Sequence, residues 1–245
     1  MMRRNNFPFS AVLGLNHAKT AILVVLVNPR AGGLLISGPQ GIGKSTLMRS
    51  TQELIERPWR DIPVSVTEDR LFGTIDTEKA IYSGQKKLYP GIINEADQGV
   101  LYLDDANLLR EDLLDSILNI AEVGAYQLER DGLSLRCDTS FTVIAAINPE
   151  SGMLSGACLD QFGLFVNVDN IHDENTRVEI LKRTISFEKD CASFCKLWKL
   201  ENEKIKKAIH SAMSLLPKVV VSSAMIQLAS VYALKAHVSG HRADI

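Results

Sequence analysis

The sequence predicts an α/β fold with a mostly parallel sheet, followed by a small all-helical domain. Up to about residue 170, short apolar segments typical of buried strands alternate with segments of helical spacing. The periodic segments beyond that point all have helical spacing. We therefore predict two domains, an α/β domain over residues 1–170 and a helical domain over residues 171–245.

The first predicted elements form a strand–loop–helix unit. A helix over residues 16–27 stops before Pro29, because the residue that precedes a proline is disfavoured in helical conformation. Residues 33–37 form a short apolar strand, and a turn over residues 38–45 leads into the next helix. A second strand is predicted over residues 62–66.

The later elements repeat this alternation with two interruptions. The polar stretch 67–79 has no clean period and is predicted to be an insertion. The segment 125–136 carries Asp131-Gly132 between alternating residues, which predicts a β-hairpin. The remaining predicted elements are strands over 99–103 and 141–147, and helices over 108–123, 174–187, 202–216 and 222–238.

Charge and composition exclude several classes of partner. With 27 basic and 29 acidic residues, the chain has no broad cationic field, so we expect neither a nucleic-acid nor a membrane-surface partner. No apolar stretch approaches the roughly 20 residues that span a bilayer. The cysteines lack CxxC spacing, and we expect reduced thiols in a cytoplasmic protein at Cys137, Cys158, Cys191 and Cys195.

A glycine-rich loop between the first strand and its helix carries the strongest chemical signal. Residues 38–45, GPQGIGKS, match the G-x-x-x-x-G-K-[ST] pattern in full. Its glycines let backbone N–H groups point at phosphate oxygens, Lys44 adds a positive charge, and Ser45 offers a hydroxyl to Mg²⁺. The predicted nucleotide-binding residues are Gly38, Pro39, Gln40, Gly41, Ile42, Gly43, Lys44, Ser45 and Thr46.

Polar residues at the ends of two later strands complete the candidate site. Asp104 follows strand 99–103 and is predicted to hold Mg²⁺ together with Ser45. Asp105 is predicted to orient the attacking water, and Asn148, after strand 141–147, to lie between that water and the γ-phosphate. These roles predict ATP and Mg²⁺ as cofactors. The alternatives are a buried strand that ends in two solvated aspartates and an ordinary Asn-Pro loop.

Five segments together resemble the ATPase subunit of magnesium chelatase and its cobalt-chelatase relatives. They are FPFSAVLG (7–14), TEDRLFGTIDTEKA (67–80), PGIINEADQGVLYLDDANLL (90–109), LERDGLSLR (128–136) and GHRADI (240–245). The resemblance covers essentially the whole chain. It implies an AAA+ fold with a helical insertion after the second strand, a hairpin before the strand that ends at Asn148, and a helical lid.

The resemblance also implies a function. Members of this family form homo-oligomeric, hexameric rings and work with a second AAA+ subunit and a large catalytic subunit, which inserts Mg²⁺ or Co²⁺ into a tetrapyrrole. The chain would be the motor that supplies conformational work from ATP hydrolysis. Two alternatives stay open: a nucleotide-binding scaffold that hydrolyses slowly, and a chaperone-like AAA+ remodeller. The match at 67–80 argues against the remodeller.

Three positions depart from the family pattern or complete it. The family has glutamate where this chain has Asp105, and an arginine finger where it has Gln161. Both changes are expected to weaken ATP hydrolysis while binding stays intact. The catalytic lid arginine of the family matches Arg242, and the chain ends three residues later, so we expect a lid truncated at its C-terminus.

Overall fold

A computed structural model describes residues 6–75, 88–130 and 133–235. Within these ranges the strands are β1 (Leu34–Ser37), β2 (Trp59–Ile62), β3 (Gly73–Ile75), β4 (Leu88–Pro90), β5 (Gly99–Leu103), β6 (Ala125–Arg130), β7 (Leu133–Asp138), β8 (Phe141–Ile147) and β9 (Leu164–Asn167). The helices are α1 (Asn16–Val27), α2 (Lys44–Thr51), α3 (Glu68–Phe72), α4 (Ile92–Glu95), α5 (Glu111–Val123), α6 (Gly156–Leu159), α7 (Glu174–Lys189), α8 (Cys191–Leu215) and α9 (Ser223–Lys235).

The central sheet is parallel throughout and has the strand order β2-β5-β8-β1-β9. All residues of β1, β5 and β8 are buried, as expected for strands covered by helices on both faces. The predicted α/β class with a mostly parallel sheet is confirmed.

Side chains of the inner strands alternate between two apolar cores. On β8, Val143 and Ala145 join a core built with α5, whereas Ile144 and Ala146 join a core built with α1 and α2. On β1, Leu35 belongs to the first core, and its two apolar neighbours belong to the second. Because successive strand residues point to opposite faces, a continuous apolar run can fill both cores of a three-layer fold.

Two predicted boundaries are wrong. The second strand is Trp59–Ile62 rather than 62–66, because Pro63 has no N–H to donate to a neighbouring strand. The helix predicted over 202–216 begins eleven residues earlier, in α8 (Cys191–Leu215). Its N-cap is Asp190, whose carboxylate accepts a hydrogen bond from the Ser193 N–H at 3.0 Å.

The insertion and the hairpin lie where the sequence predicts them. The insertion starts with α3 and continues into β3, which pairs antiparallel with β4; residues 76–87 lie outside the described part. β6 and β7 pair antiparallel from Ala125↔Asp138 to Arg130↔Leu133. The predicted turn residues Asp131 and Gly132 lie outside the described residues.

The C-terminal helices contact the N-terminal segment through α8. The Asn202 side chain accepts hydrogen bonds from the N–H and hydroxyl of Ser10 at 3.0 and 2.7 Å. Ile209 is buried in the core shared with α1. The division into domains at residue 170 stays a prediction.

No single helix within the described ranges is long and apolar enough to cross a membrane. Residues Cys191–Lys218 and α9 meet the length and composition test only as a pair, across a bend of 107°.

We predict that Gly99→Ala destabilises the fold. A Cβ at Gly99 would lie 2.0 Å from the Pro58 carbonyl oxygen, and that oxygen is held in place by a 2.8 Å hydrogen bond from the Val100 N–H. The backbone shift that relieves such an overlap lowers the free energy of unfolding by about 1–3 kcal/mol. Gly156→Ala is the control, because a Cβ there meets nothing within 4 Å. Equal urea unfolding midpoints for the two variants would contradict the prediction.

Candidate functional site

The register of the sheet brings three loops together at one edge. Ser37 at the end of β1 lies opposite Ile147 of β8 and Asn167 of β9. β5 ends at Leu103, which pairs with Ala145, so the loop after β5 starts close to the end of β8. In parallel sheets, ligand-binding residues lie beyond the carboxyl ends of the strands. The loops after β1, β5 and β8 form this edge.

The loop after β1 has a conformation that depends on its glycines. Gly41 and Gly43 have φ angles of 83° and 94°, which side-chain-bearing residues rarely adopt. A Cβ on Gly38 would lie 2.5 Å from the Val168 carbonyl oxygen, so only glycine fits there. The loop leads into the N-terminus of α2, where free N–H groups and the helix dipole favour anions.

The Lys44 side chain folds back onto the start of the loop. Its ammonium donates hydrogen bonds to the carbonyl oxygens of Gly38 at 2.6 Å and Pro39 at 2.9 Å. Burial lowers the pKa of Lys44, and the negative charges of Asp105 and Asp104 oppose that shift. The cation and the two carboxylates therefore share one electrostatic environment.

Ser45 and Asp104, the predicted Mg²⁺ ligands, lie side by side. The Ser45 hydroxyl donates to the Asp104 carboxylate, Oγ to Oδ1, at 3.3 Å. The same Oδ1 accepts a 2.8 Å hydrogen bond from the Tyr102 hydroxyl. Burial, and then the charge of Asp104, raise the pKa of Tyr102 well above its usual range, so the phenol stays protonated and donates.

Asp105 has an unusual backbone conformation. Its φ and ψ of 50° and 49° lie in the left-handed region, which among described non-glycine residues is otherwise entered only by Gln98. Such a conformation costs about 1–3 kcal/mol and is found mostly where function requires it. It turns the chain sharply after β5, and the Asp105 side chain is exposed at the cavity described below.

Asn148 is buried and well anchored at the end of β8. Its Oδ1 accepts from the Glu150 N–H at 3.1 Å, and its Nδ2 donates to the Ser151 hydroxyl at 3.3 Å. The Asn107 amide, from the loop after β5, donates to the Asn148 carbonyl oxygen at 3.2 Å and to that of Gly152 at 3.1 Å. Asn107 therefore ties the loop of the two aspartates to the loop of Asn148.

These groups surround a cavity of about 370 Å³. The residues that line it are Gln40, Gly41, Gly43, Lys44, Ser45, Thr46, Asp104, Asp105, Leu108, Asn148 and Ser151. A larger cavity of about 930 Å³ adjoins it and shares Gln40, Gly41, Gly43 and Thr46. Its other walls come from the N-terminal segment 7–15, residues 169–172 and α7.

The chain is similar to known proteins along most of its length. Residues 33–161 match the family described as "AAA domain (dynein-related subfamily)". The chain is 32% identical to the magnesium-chelatase subunit ChlI homolog of Methanocaldococcus jannaschii, over 100% of this chain and 77% of that protein. It is 35% identical to the magnesium-chelatase 38 kDa subunit of Rhodobacter capsulatus, over 87% of this chain and 70% of that protein.

A solved structure is similar as well. A chain from a cryo-EM-based structure of the complex between subunits BchI and BchD of magnesium chelatase matches with a TM-score of 0.64 and 35% identity. The match covers 88% of this chain and 77% of that chain. The chain belongs to the magnesium-chelatase I-subunit family of AAA proteins. The resemblance stated from the sequence is confirmed, and so is the AAA+ fold.

ATP and Mg²⁺ are the cofactors of this family member, and the described residues fit both. The loop presents bare backbone and a helix N-terminus to phosphate, with Lys44 beside it. Ser45 and Asp104 supply the oxygen ligands that Mg²⁺ prefers.

The structure does not bring every predicted residue to the 370 Å³ cavity. Gly38 and Pro39 line neither cavity, and Ile42 lines only the larger one. Gln161, after α6, also lines neither of them. Arg242 lies outside the described residues. The catalytic roles of Asp105, Asn148 and Arg242 stay predictions.

Sequence reasoning missed Tyr102, Asn107 and the walls of the larger cavity. Tyr102 lies on β5 and Asp104 comes directly after that strand. Residues two apart in an extended chain lie on the same face, so this contact could have been found. Asn107 bonds residues more than forty positions away, and no local pattern reveals such a contact.

We predict that Tyr102→Phe weakens Mg²⁺-dependent ATP binding by about tenfold, because groups that orient a metal ligand contribute about 10- to 100-fold to metal affinity. The measurement is a Mg²⁺ titration of ATP binding by calorimetry. Tyr126→Phe is the matched control, since the Tyr126 hydroxyl bonds Asn94 and Phe72 outside the site. Equal Mg²⁺ requirements in both variants would show that the Tyr102 hydroxyl does not position Asp104.

Proposed function

We propose that the chain is the ATP-hydrolysing motor subunit of a metal chelatase complex. One observation carries the proposal: Lys44, Ser45, Asp104, Asp105 and Asn148 converge on one cavity at the carboxyl edge of the sheet. The similarity to magnesium-chelatase subunits along nearly the whole chain supports the choice of complex.

The two cavities suit the two halves of ATP. Backbone N–H groups of the loop and the Lys44 ammonium attract the triphosphate to the 370 Å³ cavity. The larger cavity, contiguous through the shared loop residues and mostly apolar in its lining, receives the nucleoside. Mg²⁺ held by Ser45 and Asp104 would neutralise charge on the phosphate oxygens.

The chain's own residues then perform hydrolysis. The Asp105 carboxylate accepts a hydrogen bond from the attacking water and aims it at the γ-phosphorus. Asn148 contributes an amide beside that water, and its hydrogen bonds to Glu150 and Ser151 hold the amide still. The water oxygen bonds to the γ-phosphorus as the bond from that phosphorus to the β–γ bridging oxygen breaks. A proton of the water passes to the Asp105 carboxylate and on to solvent, and ADP and phosphate leave the site.

The relatives support a proposal for what ATP hydrolysis drives. We infer that the chain acts with a partner subunit, and the similar solved structure, a complex of subunits BchI and BchD, supports this. The homo-hexameric ring and the AAA+ fold of the second subunit remain what the family resemblance implies. Insertion of Mg²⁺, or of Co²⁺, into a tetrapyrrole would take place on a large catalytic partner.

A second candidate is a nucleotide-binding scaffold with slow hydrolysis. Asp105 is one methylene shorter than the glutamate of the family, and Gln161 lacks the charge of the family's arginine finger. In GTPases, an arginine finger contributes about 10³- to 10⁵-fold to the rate of hydrolysis. Its absence favours a chain that binds ATP well and turns it over slowly.

Lys44→Ala tests nucleotide binding. Removal of the ammonium deletes a charge-assisted contact to phosphate, and we expect roughly 10- to 100-fold weaker Mg-ATP binding by calorimetry. Lys204→Ala is the control, because Lys204 is an exposed lysine on α8 that pairs only with Glu201 in the described surface. Wild-type affinity in Lys44→Ala would refute the assignment of the loop.

Gln161→Arg tests the origin of slow turnover. We expect ATP hydrolysis to rise on the order of 10²-fold, because the added cation meets charge that develops on the transferring phosphoryl group. The gain should appear only at concentrations where subunits assemble, and it should persist in part when the variant is mixed with Lys44→Ala protein. Gln227→Arg, an added charge on exposed α9, is the control.

A Gln161→Arg protein that assembles, binds ATP and hydrolyses it no faster than the parent would contradict this explanation. The shorter carboxylate at Asp105 would then be the main cause.

A further inference from the structure

The N-terminal segment 7–13 forms a wall of the larger cavity and is held by side chains from α1, α7 and α8, the last through the hydrogen bonds of Asn202 with Ser10. Phe7, Ala11 and Val12 line the cavity within it. The Arg183 guanidinium on α7 donates to the Ala11 carbonyl oxygen at 3.0 Å, and the Lys19 ammonium on α1 donates to that of Val12. These acceptors belong to consecutive peptide groups.

Arg183 is also held by contacts outside the wall. Its Nε donates to the Glu179 carboxylate at 2.9 Å, and its guanidinium lies 4.5 Å from the centre of the Trp198 ring. A planar guanidinium held by a carboxylate and an aromatic face loses little further entropy when it donates to Ala11. Only 18% of its side-chain surface is exposed.

Lys19 is held in a similar way. Its ammonium lies 5.2 Å from the centre of the Phe9 ring, and Phe9 is itself fully buried in the segment. Burial, and then the positive charge of Arg183, lower the pKa of Lys19 to about 8. At pH 7 the ammonium is therefore mostly protonated, and it donates a charge-assisted hydrogen bond to the Val12 carbonyl oxygen.

Two cations placed close together repel each other. The hydrogen bonds that each donates to a backbone carbonyl oxygen offset this repulsion. Both cations donate to carbonyl oxygens of segment 7–13, and the glycine-rich loop 38–45 lines the same cavity. Neither cation lines the 370 Å³ cavity.

We propose that Lys19 and Arg183 are positioning residues that fix this wall against the nucleoside of ATP, so that they determine nucleoside affinity and leave phosphate affinity unchanged. The proposal rests on the assignment of the two cavities to the two halves of ATP. Arg183 lies on α7, which itself lines the larger cavity, so the proposal links two walls of that cavity.

The test compares two ligands that share the triphosphate. Affinity is measured for Mg-ATP by calorimetry, and for inorganic triphosphate by its competition with ATP. We expect Lys19→Met and Arg183→Gln each to weaken ATP binding about tenfold, the size of one charge-assisted hydrogen bond, and to change triphosphate binding less than twofold. The controls Lys204→Met and Arg136→Gln remove exposed cations that pair with Glu201 and Asp138 and line neither cavity.

The double variant provides a second readout. Because both cations hold one segment, release by either change frees the same wall, and the combined loss should be clearly smaller than the product of the two single losses. Losses that multiply in full would show two independent roles and overturn the proposal. So would equal weakening of ATP and triphosphate, or unchanged ATP binding.

The design separates this proposal from the proposed function. If wild-type protein does not bind ATP, or Lys44→Ala binds it normally, the function fails. If Lys44→Ala weakens both ligands and the wall variants bind ATP as wild type does, only the wall proposal fails. Thermal unfolding checks that each variant is folded. If Arg183→Gln does not fold, the wall proposal is tested by Lys19→Met, which keeps the aliphatic stem of the side chain.

Discussion

The position of β1 between β8 and β9 is the constraint on which the site depends. Parallel pairing fixes Ser37 opposite Ile147 and Asn167, so the loops that follow these strands start at the same level of the sheet. A shift of one residue would turn the apolar side chains of β1 to the wrong cores. The burial that fixes the register therefore also fixes the distance from Lys44 to Asn148.

The charged side chains at the carboxyl edge are one cation and two carboxylates. Lys44 lies with Asp104 and Asp105 in one cavity, and burial alone would weaken its charge. Tyr102 and Ser45 both donate to one oxygen of Asp104 and so fix the orientation of this carboxylate, whose negative charge a divalent cation would offset. A site arranged in this way favours a polyanion that arrives with its divalent cation.

Much of this fold could be predicted from sequence, because the informative segments are long, apolar and locally consistent. The strands Gly99–Leu103 and Phe141–Ile147 have the predicted bounds, since each is a continuous apolar run that ends at a polar residue. The strand Trp59–Ile62 was misplaced because it lies at the sheet edge and is only partly buried, which leaves a weak pattern. The prediction misses the first turns of α8 because they are largely exposed, which leaves a weak apolar pattern.

The sequence by itself determined the glycine-rich loop 38–45, the carboxylates after β5 and the asparagine after β8, because each is a local pattern that directly follows an apolar strand. Only the tertiary structure decided which distant groups support them. Tyr102 on Asp104, Asn107 on Asn148, and Arg183 with Lys19 on Ala11 and Val12 are contacts set by packing. The physical reason is that a side chain's hydrogen-bond partners depend on which surfaces meet in space, and backbone carbonyl acceptors, present at every residue, leave no mark in the sequence.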